Sequence, residues 1–275
     1  TLSFAALDAP EHGTLTITDA ATGAFTYTPA SGYHGQDTLS FKVTDANGAV
    51  NTQTLRFNIE ADLDVQVAGR HLSFDGVNDY LTVPDNDSLD FDANSSFTIE
   101  MWIKPDSLSS LQSLLDKGTL AGDDPNYRVS ITTSGKIEIW SPESESKVFE
   151  GTDLTAGEWA HIALSYDATS DKITMYQDGE FVGELSASNF GDANNGPLLI
   201  GKDNQDRFFE GQMDELRIWS EARSADDIRL NYDQQLAGTE STLNAYYRFD
   251  DIQGGVIVDK SPNSNTASMG DPDTL

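Results

Sequence analysis

The chain has 275 residues and carries 46 Asp and Glu against 16 Lys and Arg, a formal net charge of −30. That charge repels nucleic-acid phosphates and anionic membranes, so no nucleic-acid partner and no membrane insertion are expected. Cysteine is absent, which excludes a disulfide framework and any thiolate metal site.

The length suits one large sandwich of roughly 200 residues and a smaller companion. No stretch approaches the ~18 apolar residues of a membrane helix, and no charged start leads into an apolar run, so the chain reads as an internal piece of a larger secreted protein. So many acids are tolerated where cations neutralise part of them, and carboxylates clustered with carbonyls select calcium. A solvated, halotolerant acidic surface is the other reading.

Residues 1–60 alternate short β-rich runs with turn signals: Gly13-Thr-Leu-Thr-Ile-Thr18, Gly23-Ala-Phe-Thr-Tyr-Thr28, Thr38-Leu-Ser-Phe-Lys-Val43 and Thr52 to Ile59. Alternation with a period of two at this spacing predicts antiparallel sandwich strands. Asp45-Ala-Asn-Gly48 is a turn that supplies positive φ; Asp37 and Asp45 are read as turn residues or as calcium ligands.

These runs, with Gly32-Tyr-His-Gly35 and Val43-Thr-Asp-Ala-Asn-Gly48 in order between and after them, resemble the second half of the cadherin-like, immunoglobulin-like repeats of large bacterial adhesins of the repeats-in-toxin type. The resemblance implies a spacer role for residues 1–62, a partial repeat that lacks the family's leading strands.

Further on, Phe97, Ile99, Met101 and Ile103 alternate with Thr98, Glu100, Trp102 and Lys104, which predicts a half-buried strand with one aromatic on its second face. Ser134-Gly135 and Asp178-Gly179 each sit between two β-rich runs and predict tight hairpins. Ser224 with Asp227 three residues on forms a capping box, and Ile228, Tyr232 and Leu236 continue one helical face as far as Gly238, so a single short helix is expected.

From position 69 to the end the sequence resembles the laminin-G-like, concanavalin-type jelly-roll family, in its pentraxin-like branch. The motifs are Leu72-Ser-Phe-Asp-Gly-Val-Asn-Asp-Tyr80, Phe97 to Pro105, Leu115-Asp-Lys-Gly118 with Asn126-Tyr127, Trp159 to Tyr166, Met175-Tyr-Gln-Asp-Gly179, Leu199-Ile-Gly201, Gly211 to Trp219 and Ala245-Tyr-Tyr-Arg-Phe-Asp250. The resemblance implies an all-β chain: a jelly roll of two antiparallel sheets over 69–275, next to the small partial immunoglobulin-like sandwich. It also implies rim loops that bind calcium and, in many members, a glycan or protein ligand.

Three site readings follow. Asp75, Asn78 and Asp79 crowd oxygen-bearing side chains into a turn bent at Gly76. In this family that turn is expected near the strand carrying Asp214, so the four residues are read either as one calcium site or as a hydrogen-bonded turn with a separately buried Asp214. Asp123, Asp124, Asn126, Asp203, Asn204 and Asp206 fall in two acid- and amide-rich loops, either solvated or holding a second calcium with positions open to sugar hydroxyls. Trp140 ends a strand next to a polar run and is the exposed candidate for stacking on a sugar, with Tyr127, Phe208 and Phe209 flanking the acidic loops; Trp102, Trp159 and Trp219 are assigned to the core.

Catalysis is not expected. His12, His34, His71 and His161 show no metal spacing, the two-glutamate strand of concanavalin-type glycosidases is not reproduced, and no nucleophile elbow or phosphate loop occurs. The expectation is therefore a calcium-dependent, lectin-like module of an extracellular bacterial adhesin, monomeric within a larger chain, that binds a cell-surface glycan or protein. A calcium-stabilised spacer and an accessory carbohydrate-binding module of a secreted hydrolase are the alternatives.

Overall fold

A computed structural model of the chain describes all residues except 1, 30–34, 60–70, 93, 119–124, 142–144, 188–189, 191–193, 251, 254 and 271–275. The chain divides into two compact units, Thr1–Gln66 and Val67–Leu275.

In the first unit the alternating runs become β1 (Ser3–Ala6), β2 (Gly13–Asp19), β3 (Ala24–Pro29), β4 (Gly35–Thr44) and β5 (Val50–Ile59). Among the described residues β1, β4 and β5 form one antiparallel sheet, and β2 and β3 form a hairpin. Asp37 joins the two: its carboxylate accepts from the Glu11 and His12 amides at 3.1 and 3.0 Å and from the Tyr27 hydroxyl at 2.8 Å. Asp45 accepts from the Asn47 and Ala49 amides at 2.8 Å each. Both acids therefore serve as hydrogen-bonded turn and strand residues. The interior is thinly filled: Leu39 is buried, Phe25 is 42 % exposed, and a cavity of about 130 Å³ lies among Phe4, Leu15, Phe25, Leu39, Phe41 and Leu55.

The second unit contains β6 (Leu72–Asp75), β7 (Leu81–Val83), β8 (Phe97–Pro105), β9 (Gln112–Gly118), β10 (Pro125–Ile131), β11 (Ile137–Ser141), β12 (Glu145–Phe149) and β13 (Ala160–Asp167). It continues with β14 (Lys172–Gln177), β15 (Glu180–Ser186), β16 (Leu198–Ile200), β17 (Glu210–Trp219), helix α1 (Ala225–Asn231), β18 (Leu243–Tyr247), β19 (Ile252–Gln253), β20 (Val256–Ile257) and β21 (Ala267–Met269). Among the described residues one sheet has nine strands in the order β12-β11-β10-β9-β16-β7-β21-β20-β19. The other has seven, in the order β15-β14-β13-β8-β17-β18 with β6 paired to β17. Their facing surfaces carry the alternating apolar residues, among them Phe97, Ile99, Met101, Leu115, Val129, Ile139, Leu164 and Ile218, all at most 1 % exposed. The fold is an all-β antiparallel jelly-roll sandwich.

The hairpin signals hold. Asp178 and Gly179 join β14 to β15 with φ of +52° and +78°, the pair of left-handed residues that a two-residue turn between twisted strands requires. Gly135, at φ +71°, turns the chain between β10 and β11.

Strand β8 departs from the expectation of one wet face. Thr98, Glu100 and Trp102 are at most 3 % exposed, because α1 and the segment after it lie across that side: Trp102 Nε1 donates to the Tyr232 carbonyl at 2.9 Å. The helix begins at the foreseen capping box, Ser224 with Asp227, but ends at Asn231. The helical face foreseen through Leu236 stops there because Arg217 takes the carbonyls of Asn231 and Gln234 at 3.0 and 2.5 Å.

Strand β17 reaches that segment by means of a bulge. Asp214 pairs with Trp102 and Arg217 with Glu100, so one extra residue is inserted, with Glu215 at φ +50°. The left-handed backbone costs Glu215 about 1–2 kcal/mol, offset by its carboxylate meeting Arg217 at 2.7 Å and the Tyr246 hydroxyl at 2.6 Å.

Candidate functional site

The outward face of the nine-stranded sheet carries polar side chains where sequence alternation alone would place solvated ones. Ser146, Trp140, Arg128, Asp116, Leu199 and Thr82 are consecutive register partners across β12, β11, β10, β9, β16 and β7. Side chains at directly paired positions share a face, so Trp140, Arg128 and Asp116 stand in one row. The Arg128 guanidinium lies over the partly exposed Trp140 ring, 5.0 Å from its centre.

The loop after β16 closes over this row. Asp203 is fully buried; its carboxylate accepts from the Gln205 amide at 2.9 Å and pairs with Arg207 Nε at 2.6 Å, with Arg128 Nε 4.0 Å away. The Asn204 amide donates to Asp116 Oδ2 at 3.3 Å. Two acids and two arginines thus share one enclosed cluster.

The cluster is not satisfied internally. Asp116 Oδ1 and Arg207 Nη2 are both enclosed and have no hydrogen-bond partner. Burial is the main cause that pushes the Asp116 carboxyl up to about 6; the Asn204 amide, Arg128 and Arg207 oppose it and Asp203 adds to it. An enclosed acceptor and an enclosed donor left unpaired cost free energy that a buried water recovers, and a cation would serve the acceptor alone.

The foreseen residues are placed as follows. Asp75 Oδ1 accepts from the Val77 and Asn78 amides at 2.8 and 3.2 Å, and the Asp75 amide donates to Asp79 Oδ2 at 2.9 Å. This is a closed hydrogen-bonded turn, and Gly76 is required in it: its φ is +75°, and a Cβ there would come within 2.9 Å of Glu210.

Asp214 does not join this turn. Asp75 pairs with Glu210 on β17, so Asp214 lies four residues further along that strand, roughly 13 Å away. The shared four-residue calcium site is therefore corrected to a turn and a separate buried carboxyl. Among the described residues no group of three or more His, Asp or Glu is gathered for a metal.

Asn126 and Tyr127 are also corrected, from rim to interior. Asn126 is 1 % exposed and bonds both backbone groups of Phe91, at 2.9 and 2.7 Å, as a neighbouring strand would. Tyr127 is fully buried with its hydroxyl on the Leu89 carbonyl at 3.1 Å. Asp206 is exposed and pairs with Lys202 at 2.7 Å. Asp123 and Asp124 lie outside the described residues. Trp102 and Trp219 are core residues, at 3 and 1 % exposure, whereas Trp159 is only partly buried.

Sequence reasoning missed Asp116, Arg128 and Arg207. The available signal was the charge pair Asp116-Lys117 directly after Leu114-Leu115, since charges that follow apolar residues into a core are rare unless partnered.

The fold and this outward-facing row define a concanavalin-type jelly roll with a polar, aromatic-edged sheet face. The chain belongs to the concanavalin A-like lectin/glucanases superfamily, whose model matches residues 75–229. A bacterial Ig domain model matches residues 1–58. No curated protein matches the sequence.

Among solved structures, a putative carbohydrate binding protein from Bacteroides ovatus aligns with 98 % of this chain and 85 % of its own, at 17 % identity and a TM-score of 0.60. Domain 4 of AbnA, an extracellular arabinanase from Geobacillus stearothermophilus solved with arabinotriose, covers 61 % of this chain and 78 % of its own at 21 % identity and a TM-score of 0.49. A sialidase carbohydrate-binding module from Ruminococcus gnavus, solved with sialyllactose, covers 58 % and 96 % at 15 % identity and a TM-score of 0.46.

Proposed function

We propose that the second unit is a lectin-like module that binds a glycan on the outward face of its nine-stranded sheet. The observation that carries this reading is the in-register row Trp140–Arg128–Asp116, closed at one end by Asp203, Asn204 and Arg207. It sets a partly exposed indole for the apolar face of a sugar ring beside the Arg128 guanidinium, a donor to its hydroxyls. The Bacteroides ovatus structure, described as a putative carbohydrate binding protein, accords with it.

Binding is favoured over hydrolysis. A glycosidase needs two carboxyl groups flanking an open cleft, and here Asp116 and Asp203 are both enclosed, the second neutralised by Arg207.

An extracellular bacterial setting, with the first unit as a spacer and the whole as part of a surface adhesin, follows from the same reading. Among the described residues no helix is long and apolar enough to cross a membrane.

Trp140→Ala should raise the Kd for the glycan by about tenfold or more, a loss of at least ~1.4 kcal/mol, with the melting temperature nearly unchanged. Calorimetry with a ligand selected from a glycan array checks this; an unaltered Kd removes Trp140 from the site.

Calcium dependence is a second reading, favoured by Asp116 Oδ1, an enclosed carboxylate oxygen without a donor. Calcium held there would stabilise the folded chain by mass action. The expected result is that millimolar calcium raises the melting temperature of the wild type at pH 7.5 and that Asp116→Asn abolishes the rise. Equal melting curves in calcium and in chelator would remove calcium from the function and leave direct glycan contacts.

A further inference from the structure

On the opposite face of β9, next to Asp116, Lys117 points under the sheet, where a strand of this kind would carry an apolar residue. Its side chain is fully buried. The ammonium lies 2.9 Å from Asp85 Oδ1, 2.7 Å from Asp90 Oδ1, 2.8 Å from the Gly196 carbonyl, and 3.2 and 3.3 Å from the backbone and side-chain oxygens of Asn194.

Five oxygens surround a group with three protons to give. Two of them belong to carboxylates, so the charge inside the cage is +1 against −2. Surplus oxygen ligands and surplus negative charge are the coordination chemistry of a hard divalent cation, which takes six to eight oxygens, carboxylate and carbonyl together. An ammonium held only by hydrogen bonds would be satisfied by three acceptors.

The oxygens come from two separate stretches of chain and the ammonium from a third. Asp85 and Asp90 flank the 3-10 turn Asp87–Leu89 that follows β7, Lys117 lies next to the end of β9, and Asn194 and Gly196 precede β16. Asn194 is itself fixed to the cage: its side-chain amide donates to the Lys117 carbonyl at 3.3 Å, and its side-chain oxygen accepts from the Gly196 amide at 2.9 Å. The cage exists whether or not a glycan binds on the other face.

We infer that Asp85, Asp90, Asn194 and Gly196 form a divalent-cation site in which the Lys117 ammonium stands in place of the ion, and that shortening Lys117 converts it into a calcium site. The bound ammonium ties the three stretches together without metal. A calcium ion in its place would neutralise both carboxylates and draw the oxygens in by a few tenths of an ångström, toward the ~2.3–2.6 Å of its own bonds.

The test compares Lys117→Ala with Lys117→Met in the full chain, purified in calcium, by calorimetry with calcium chloride and by melting curves in calcium and in chelator. Lys117→Ala is expected to bind one calcium more than the wild type, with a Kd on the order of 10⁻⁴ M. Its melting temperature should rise by about 5–10 °C beyond any wild-type response when calcium is a hundredfold above that Kd. Lys117→Met fills the space without charge and should be destabilised in both conditions. The added calcium equivalent should persist when Asp116→Asn is also present, which separates this site from the outward face, and should vanish in Lys117→Ala/Asp90→Asn. Equal stability of Lys117→Ala in calcium and chelator, or failure of that variant to fold in either, overturns the inference.

Discussion

Glu100→Ala should destabilise the second unit by about 3–5 kcal/mol, the cost of stripping a buried charge of its partner. Glu100 is 1 % exposed. One carboxylate oxygen accepts from Trp219 Nε1 at 2.8 Å and lies 3.6 Å from Arg217 Nη1; the other faces His161 Nε2 at 3.4 Å. Burial works to raise the Glu100 carboxyl, yet His161, Arg217 and Arg223 hold it at about 2. Without it, Arg217 keeps only Glu215 as a counter-charge, the Trp219 indole loses its acceptor, and the carbonyl clamp behind α1 loosens. Urea and thermal unfolding measure the loss. Glu100→Gln retains an acceptor for Trp219 and should lose about half as much, whereas an alanine variant within 1 kcal/mol of wild type would show that the cluster is not a keystone of the sheet.

The second large effect is a gain. Asp214 is 5 % exposed; burial raises its carboxyl to about 7, with Glu215 and Asp250 adding to the rise and the Glu215 amide and Arg217 opposing it. A carboxyl whose folded pKa exceeds its unfolded value binds a proton on folding. Its favourable contribution is complete below pH 3.8 and is lost as pH rises through 7. The interval from 3.8 to about 7 corresponds to ~4 kcal/mol at 1.36 kcal/mol per pH unit.

Asp214→Asn keeps an oxygen to accept from the Glu215 amide, now at 2.9 Å, and removes the charge. The variant should be more stable than wild type by roughly 2–4 kcal/mol at pH 8 and nearly equal to it at pH 4. Glu100 acts with the opposite sign, because its stabilisation fades as pH falls from 4.5 toward 2. Wild-type stability should therefore peak in mildly acid solution. Unfolding measured at pH 4 and pH 8 checks the assignment; no difference between variant and wild type at pH 8 would contradict it.

Much of the architecture was legible because local chemistry and tertiary structure agreed. The Asp178-Gly179 turn, the Ser224–Asp227 capping box and the alternation of Phe97 to Ile103 each demand one geometry and obtain it. The outer side of β8 reads as wet because Thr98 and Glu100 are polar, and their burial depends on Trp102 binding the Tyr232 carbonyl, 130 residues away in sequence, and on Arg217 binding those of Asn231 and Gln234. The turn at Asp75 shows the converse ambiguity: an acid- and amide-rich bend around a glycine has the same composition whether its oxygens face a cation or its own backbone amides. Asp116 and Lys117 stand in the motif Leu115–Gly118 with no role legible there, since adjacent charges on a strand normally imply one side facing water. Their partners, Asn204 and Asp203 on one face and Asp85, Asp90 and Asn194 on the other, meet them only in the folded sheet.

The central claim is that a glycan occupies the outward face of the nine-stranded sheet, and a crystal structure of the whole chain with the tightest ligand from a glycan array tests it most directly. The account predicts a sugar ring packed on Trp140 with hydroxyls within ~3 Å of Arg128 or Arg207. A glycan seated elsewhere on the chain, with that row vacant, would contradict it.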